Sequence, residues 1–103
     1  MSGVFSYKLT TENELFTFDY SPIIRTGETI SSASCTVQVK DGSDSNPSAI
    51  LVGSPAISGS QVVQRITGGL DGTTYRLEMT VTTSSTNVYT LVGDLSVYTP
   101  LAV

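Results

Sequence analysis

Apolar and polar residues alternate with period two along most of this chain. The clearest case is Tyr75 to Thr83, where Tyr75, Leu77, Met79 and Val81 fall on one face and Arg76, Glu78, Thr80 and Thr82 on the other. Successive side chains of a strand point to opposite sides, so this pattern predicts a strand with one face buried. Leu15 to Tyr20 repeats it with Phe16, Phe18 and Tyr20 on one side, and Gln61 to Thr67 does so with Val62 and Ile66. Thr29 to Lys40 places Ile30 early, then Ala33, Cys35, Val37 and Val39 inward. Val4 to Lys8 is a short first strand, and Ala49 to Val52 and Pro55 to Ser58 are short apolar pieces around Gly53. Val88 to Tyr98 is the last strand, with Gly93-Asp94 expected to form a bulge or a turn. Thr11 to Glu14 is the one segment with the character of a helical turn. About seven strands with regular turn signals predict an all-β fold, a two-sheet sandwich.

The turns sharpen this expectation. Arg25-Thr26-Gly27-Glu28 offers glycine where a turn needs positive φ, and Asp41 to Asn46 is a small polar loop closed by Pro47. Leu70, Gly72 and Tyr75 form the most specific cluster: a Leu-Asp-Gly corner, two threonines, then a tyrosine that opens a strand. That order resembles the tyrosine corner of immunoglobulin-like sandwiches, whose hydroxyl bonds back to upstream backbone. The expected architecture is a single immunoglobulin/fibronectin-III-like β-sandwich over residues 1–103.

With 103 residues the chain has room for one core. Serine and threonine make up about three residues in ten, and only 14% of residues are charged, which suits pleated structure better than helix. The net charge of −4 and five scattered basic residues argue against a nucleic-acid partner. No apolar run approaches the length of a membrane span, so no membrane partner is expected. One cysteine excludes an internal disulfide, and the start MSGVFSYKL has neither a basic nor an apolar leader segment. The expectation is a complete product folded in a reducing cytosol.

Chemistry is scarce. The chain has no histidine, which removes the usual general base and the usual metal ligand. Cys35 sits among inward-facing apolar neighbours and reads as a small core residue rather than a nucleophile. Asp41 and Asp44 share a loop that lacks the ligand density of a calcium site. Gly68 to Gly72 has no following helix to cradle phosphate. No catalytic residue, metal or cofactor is expected. The candidate contact residues are Tyr89 and Tyr98, as exposed aromatics, and Pro100, Leu101 and Val103, as a short apolar segment after the last strand.

Several blocks occur in a telling order: Phe5-Ser6-Tyr7-Lys8, Glu14 to Ser21, Gly27-Glu28-Thr29-Ile30-Ser31-Ser32, Gly68 to Tyr75, and Val81-Thr82-Thr83-Ser84. Together they resemble a family of small immunoglobulin-like virion proteins of tailed bacteriophages, of the fibre–tail adaptor or minor structural type. The chain departs from that pattern at Tyr20, where the family carries tryptophan, and after Ser84, where a basic residue is missing. The resemblance implies a virion component without fixing its place on the particle; the expected role is a non-enzymatic, multi-copy protein attaching at the tail, fibre or neck, assembled in the host cytoplasm. Its partners would be other virion proteins, and further copies of itself in a homo-oligomer. The alternatives are a capsid decoration protein and a carbohydrate-binding module of a cell surface.

Overall fold

A computed structural model describes residues 2–5 and 7–100 of the chain. Its strands are β1 (Ser2–Val4), β2 (Lys8–Leu9), β3 (Asn13–Asp19), β4 (Ile30–Asp41), β5 (Leu51–Ser58), β6 (Gln61–Thr67), β7 (Thr73–Thr83) and β8 (Val88–Tyr98). A 3-10 turn, Pro47–Ile50, precedes β5. The strands form two sheets. One runs β1–β8–β7–β4 with β2 also on β8; the other runs β3–β6–β5. Both β1 and β2 lie parallel to β8, Ser2 beside Val92 and Leu9 beside Tyr98, so they act as one interrupted edge strand. Counted that way the sandwich has seven strand positions. The expected all-β, two-sheet fold is the fold observed.

The core follows from the alternation. Phe16, Phe18, Val62 and Ile66 from the small sheet meet Tyr75, Leu77, Met79, Val81, Leu95 and Val97 from the large one. β7 is central and alternates buried and half-buried residues without a break. Tyr20 ends the β3 segment fully buried, and its hydroxyl donates to the Met79 carbonyl at 2.5 Å, tying the small sheet to the large one.

Several local expectations are corrected. Thr11 to Glu14 is no helical turn: the Glu12 amide donates to the Leu9 carbonyl (3.0 Å), the Glu12 carboxylate accepts from the Leu9 amide (2.8 Å), and β3 starts at Asn13. The first strand is two short pieces rather than Val4 to Lys8, and Ser6 lies outside the described residues. The two apolar pieces around Gly53 are one strand, β5, with an irregularity between Val52 and Ala56. Gln64 bridges that irregularity, its amide nitrogen within reach of the Val52 and Gly53 carbonyls. Gly93-Asp94 forms neither bulge nor turn, because β7 and β8 pair in unbroken register from Thr73/Val97 to Thr82/Val88. Gly93 is there for space. A Cβ at this position would lie 2.3 Å from the Phe5 ring, which packs edge-on against Phe16 and Phe18 with centroids 5.1 and 5.2 Å away.

Candidate interaction site

The two ends of the sandwich differ. At one end the β3–β4 connection and the β7–β8 turn are bound together by Glu28, which is 7% exposed. Its carboxylate accepts from the Arg25 amide (2.9 Å), the Thr83 hydroxyl (2.5 Å) and the Asn87 side-chain amide (2.8 Å). Backbone links add to this: Ser84 N–H to the Thr29 carbonyl at 2.7 Å, and Thr29 N–H to the Ser84 hydroxyl at 3.0 Å. The Arg25 amide, then Thr83 and Asn87, hold the Glu28 carboxyl below the usual carboxylate range. A carboxylate with a lowered folded pKa stabilises the fold above its ordinary value near 4.3, and that contribution is lost as pH falls through the folded value. Guanidinium midpoints of the wild-type protein should therefore drop on acidification below about pH 4.3. Glu28→Gln should start lower at neutral pH and show a shallower acid limb.

The opposite end gathers the corner, the last strand and the first strand. The Tyr75 hydroxyl accepts from the Leu70 amide at 2.9 Å and donates to Asp44 Oδ2 at 2.7 Å. One side chain thus anchors both the β6–β7 corner and the Asp41 to Asn46 loop. Burial, with Asp44 beside it, pushes the phenol up to about 12, while Tyr75 and then the Asn46 amide hold Asp44 low. Gly69 has φ +97 and lies against Val97 and the Tyr75 ring, where a side chain would be both strained and crowded. Gly72 has φ +74, and its amide donates to the Val97 carbonyl at 2.9 Å.

Lys8 is the unexpected member of this end. It is fully buried, and its ammonium donates to the carbonyls of Gly68 (2.6 Å) and Leu9 (2.8 Å). Burial lowers its pKa, against the attraction of Glu12 and Glu14. Lys8 therefore pins the interrupted edge strand to the corner. Nothing in the local sequence signals this, because the acceptor at Gly68 is 60 positions away.

The candidate contact residues separate. Tyr98 is 47% exposed and stands edge-on to Tyr7, itself 64% exposed, with ring centroids 5.9 Å apart. Leu70, half-exposed, lies at the same end, and the Thr99 amide donates to Asp71 Oδ1 at 2.8 Å. Pro100 is exposed just beyond; Leu101 and Val103 lie outside the described residues. Tyr89 is not part of this group. It sits at the far end of β8, about 30 Å away at the rise of a strand, half-buried against the core. The site is thus an exposed aromatic pair, Tyr7 and Tyr98, with Leu70 exposed on the corner at the same end of the sandwich.

Elsewhere the chemistry is structural. Asp94 is 8% exposed on the outer face of the large sheet, bound by Arg76 Nε (3.0 Å) and Lys40 Nζ (2.6 Å), which hold its carboxyl low. Burial pushes the Cys35 thiol up to about 11, so the thiolate a nucleophile requires is scarce at neutral pH. Among the described residues no group of three or more His, Cys, Asp or Glu side chains could hold a metal ion. No helix among them is long and apolar enough to cross a membrane.

No curated protein matches this chain. A family model does, over residues 8–93, which takes in the strands from β2 to β7 and the corner built around Tyr75. With most of its length accounted for in this way, the chain belongs to the family described as podophage GP4 fiber-tail adaptor protein gp77.

Proposed function

We propose that this protein is a non-enzymatic virion component, present in several copies, that couples a phage tail to its fibre through the end bearing Tyr7, Leu70 and Tyr98. In this reading residues 1–103 form one immunoglobulin-like domain that binds other virion proteins and assembles in the host cytoplasm. The observation that carries it is the exposed Tyr7–Tyr98 pair, with Leu70 exposed at the same end and Thr99 and Pro100 following in the chain. Aromatic side chains bring large contact area at low entropic cost and are enriched where proteins meet. The corner at this end is held by Tyr75 and Lys8, so the pair rides on a rigid support.

Removing residues 99–103 should abolish incorporation into particles while leaving the thermal midpoint of the purified protein within a few degrees of wild type. Tyr7→Ala combined with Tyr98→Ala should act in the same direction. Quantitative blotting of purified particles is the readout. Normal incorporation of both variants would overturn the assignment of this end, and labelling of the capsid instead of the tail would favour the decoration role.

A further inference from the structure

The free edges of the two sheets are not equally protected. Exposed strand edges invite pairing, and proteins blunt them with proline, charge, bulges or short length. The β5 edge carries Pro55 and an irregularity, the seven-residue β3 edge carries Glu14 and Asp19, and the β1/β2 edge is interrupted. β4 has none of these across its centre. Among the described residues it pairs only with β7, its two register shifts fall between Ile30 and Ser32 and between Val39 and Asp41, and Ser32 to Val39 contains no charge and no proline.

The backbone groups on that open side can be named. The Thr83 amide donates to Asn87 across the β7–β8 turn, so the odd-numbered residues of β7 point their amides at β8 and the even-numbered ones at β4. Their partners Ser32, Ser34, Thr36 and Gln38 therefore point back at β7. The amides and carbonyls of Ala33, Cys35, Val37 and Val39 face outward from the sheet edge. The side chains of the same four residues point inward but are only half-buried. Across from them on β5, Ile57 pairs with fully buried Val62 and so also points inward, yet it is 42% exposed. β5 runs close beside β4 here, yet these apolar side chains keep part of their surface in solvent, next to the outward-facing backbone groups of β4.

We propose that β4 pairs antiparallel with β4 of a second copy of this chain, across a two-fold axis at Thr36. The pattern of the strand is self-complementary in this register. Val37 lies opposite Cys35 and Val39 opposite Ala33, exchanging hydrogen bonds through the outward-facing amides. On the outer face Gln38 lies opposite Ser34, Lys40 opposite Ser32, and Thr36 opposite itself. No like charges meet, and the two large sheets become one. A two-fold interface requires a surface that complements itself, which is why the second copy is favoured over an unrelated strand.

This inference goes beyond the adaptor role and is read on purified full-length protein, so its failure is distinct from a failure of particle incorporation. Light scattering over a concentration series should show the mass of two chains. Thr36→Lys places two ammonium groups directly opposite and should weaken the dimer at least about tenfold, and an equimolar mixture with Thr36→Glu should restore it. Thr36 is exposed, so neither change disturbs the core. Opposed residues whose amides point away from each other lie close, so Thr36→Cys in a Cys35→Ser background should oxidise to a covalent dimer. A wild-type mass of one chain at every concentration with no covalent dimer would overturn the proposal. So would a dimer indifferent to Thr36→Lys. A wild-type monomer whose Thr36→Lys variant fails to enter particles would assign the edge to a different protein's strand instead.

Discussion

Replacing Tyr75 with alanine will destabilise the fold by about 3–5 kcal/mol, the range for truncating a buried aromatic. The ring is fully buried among the residues of the main core, so its removal leaves a cavity where the two sheets meet. The hydroxyl adds a second loss. Without it the Leu70 amide has no side-chain acceptor and Asp44 has no phenolic donor. Tyr75→Phe isolates that part and should cost about 1–3 kcal/mol, since a donor left unmatched in a partly buried site loses more than the net value of one hydrogen bond. Urea titrations of the two variants beside wild type would separate ring from hydroxyl. Against a total of roughly 5–15 kcal/mol for a natural domain, the alanine variant would stand near the edge of folding. A phenylalanine variant as stable as wild type would show that the corner is held by packing alone.

Gly93→Val is expected to be nearly as damaging, for the opposite reason. Here the fault is excess volume: the added Cβ would sit inside the Phe5 ring's contact distance, and the two γ-methyls have no space to turn away. Overpacking costs about 1–3 kcal/mol where the neighbours give way. If the ring leaves its place on Phe16 and Phe18, about 1.5–3 kcal/mol of aromatic burial goes with it. Phe5 follows β1 directly, and its amide is bonded to the Asp94 carbonyl at 2.9 Å. Loss of the ring therefore loosens the edge strand as well. Hydrogen exchange at the Phe5 amide should rise sharply in Gly93→Val and stay low in a Phe5→Leu, Gly93→Ala double variant, which trades ring for methyl.

The legible parts of this fold are those where one strand's own residues carry the information. β7 alternates without interruption because its inner face is fully covered, so burial is written in every second residue; in β6 Val62 and Ile66 show the same face, but the buried position between them is the polar Gln64. The corner was legible too, since Leu70, Gly72 and Tyr75 lie within six positions. Gly93 was misread because a glycine in a strand signals a bulge and a close approach equally well, and the ring that decides between them belongs to a residue far off in sequence. Glu12 and Glu14 carry no apolar periodicity to separate turn from strand. The buried polar groups were the least legible. Glu28, Lys8 and Asp94 each have at least one partner 54 to 60 positions away, and only the assembled fold brings that donor to its acceptor. Of the candidate contact residues, Tyr98 found its setting through Tyr7, whereas Tyr89 shares its strand but lies at the other end.

The parallel course of β1 and β2 along β8 has a mechanical consequence. Tension applied between residue 2 and residue 100 pulls the two sides of that ladder lengthwise in opposite directions. A hairpin loaded at its open end peels, one bond yielding after another. A parallel pair loaded in shear must give up its bonds together, and here the Lys8 ammonium and the Phe5 ring resist the same sliding motion. A load entering at those two points would meet this edge along its strongest direction.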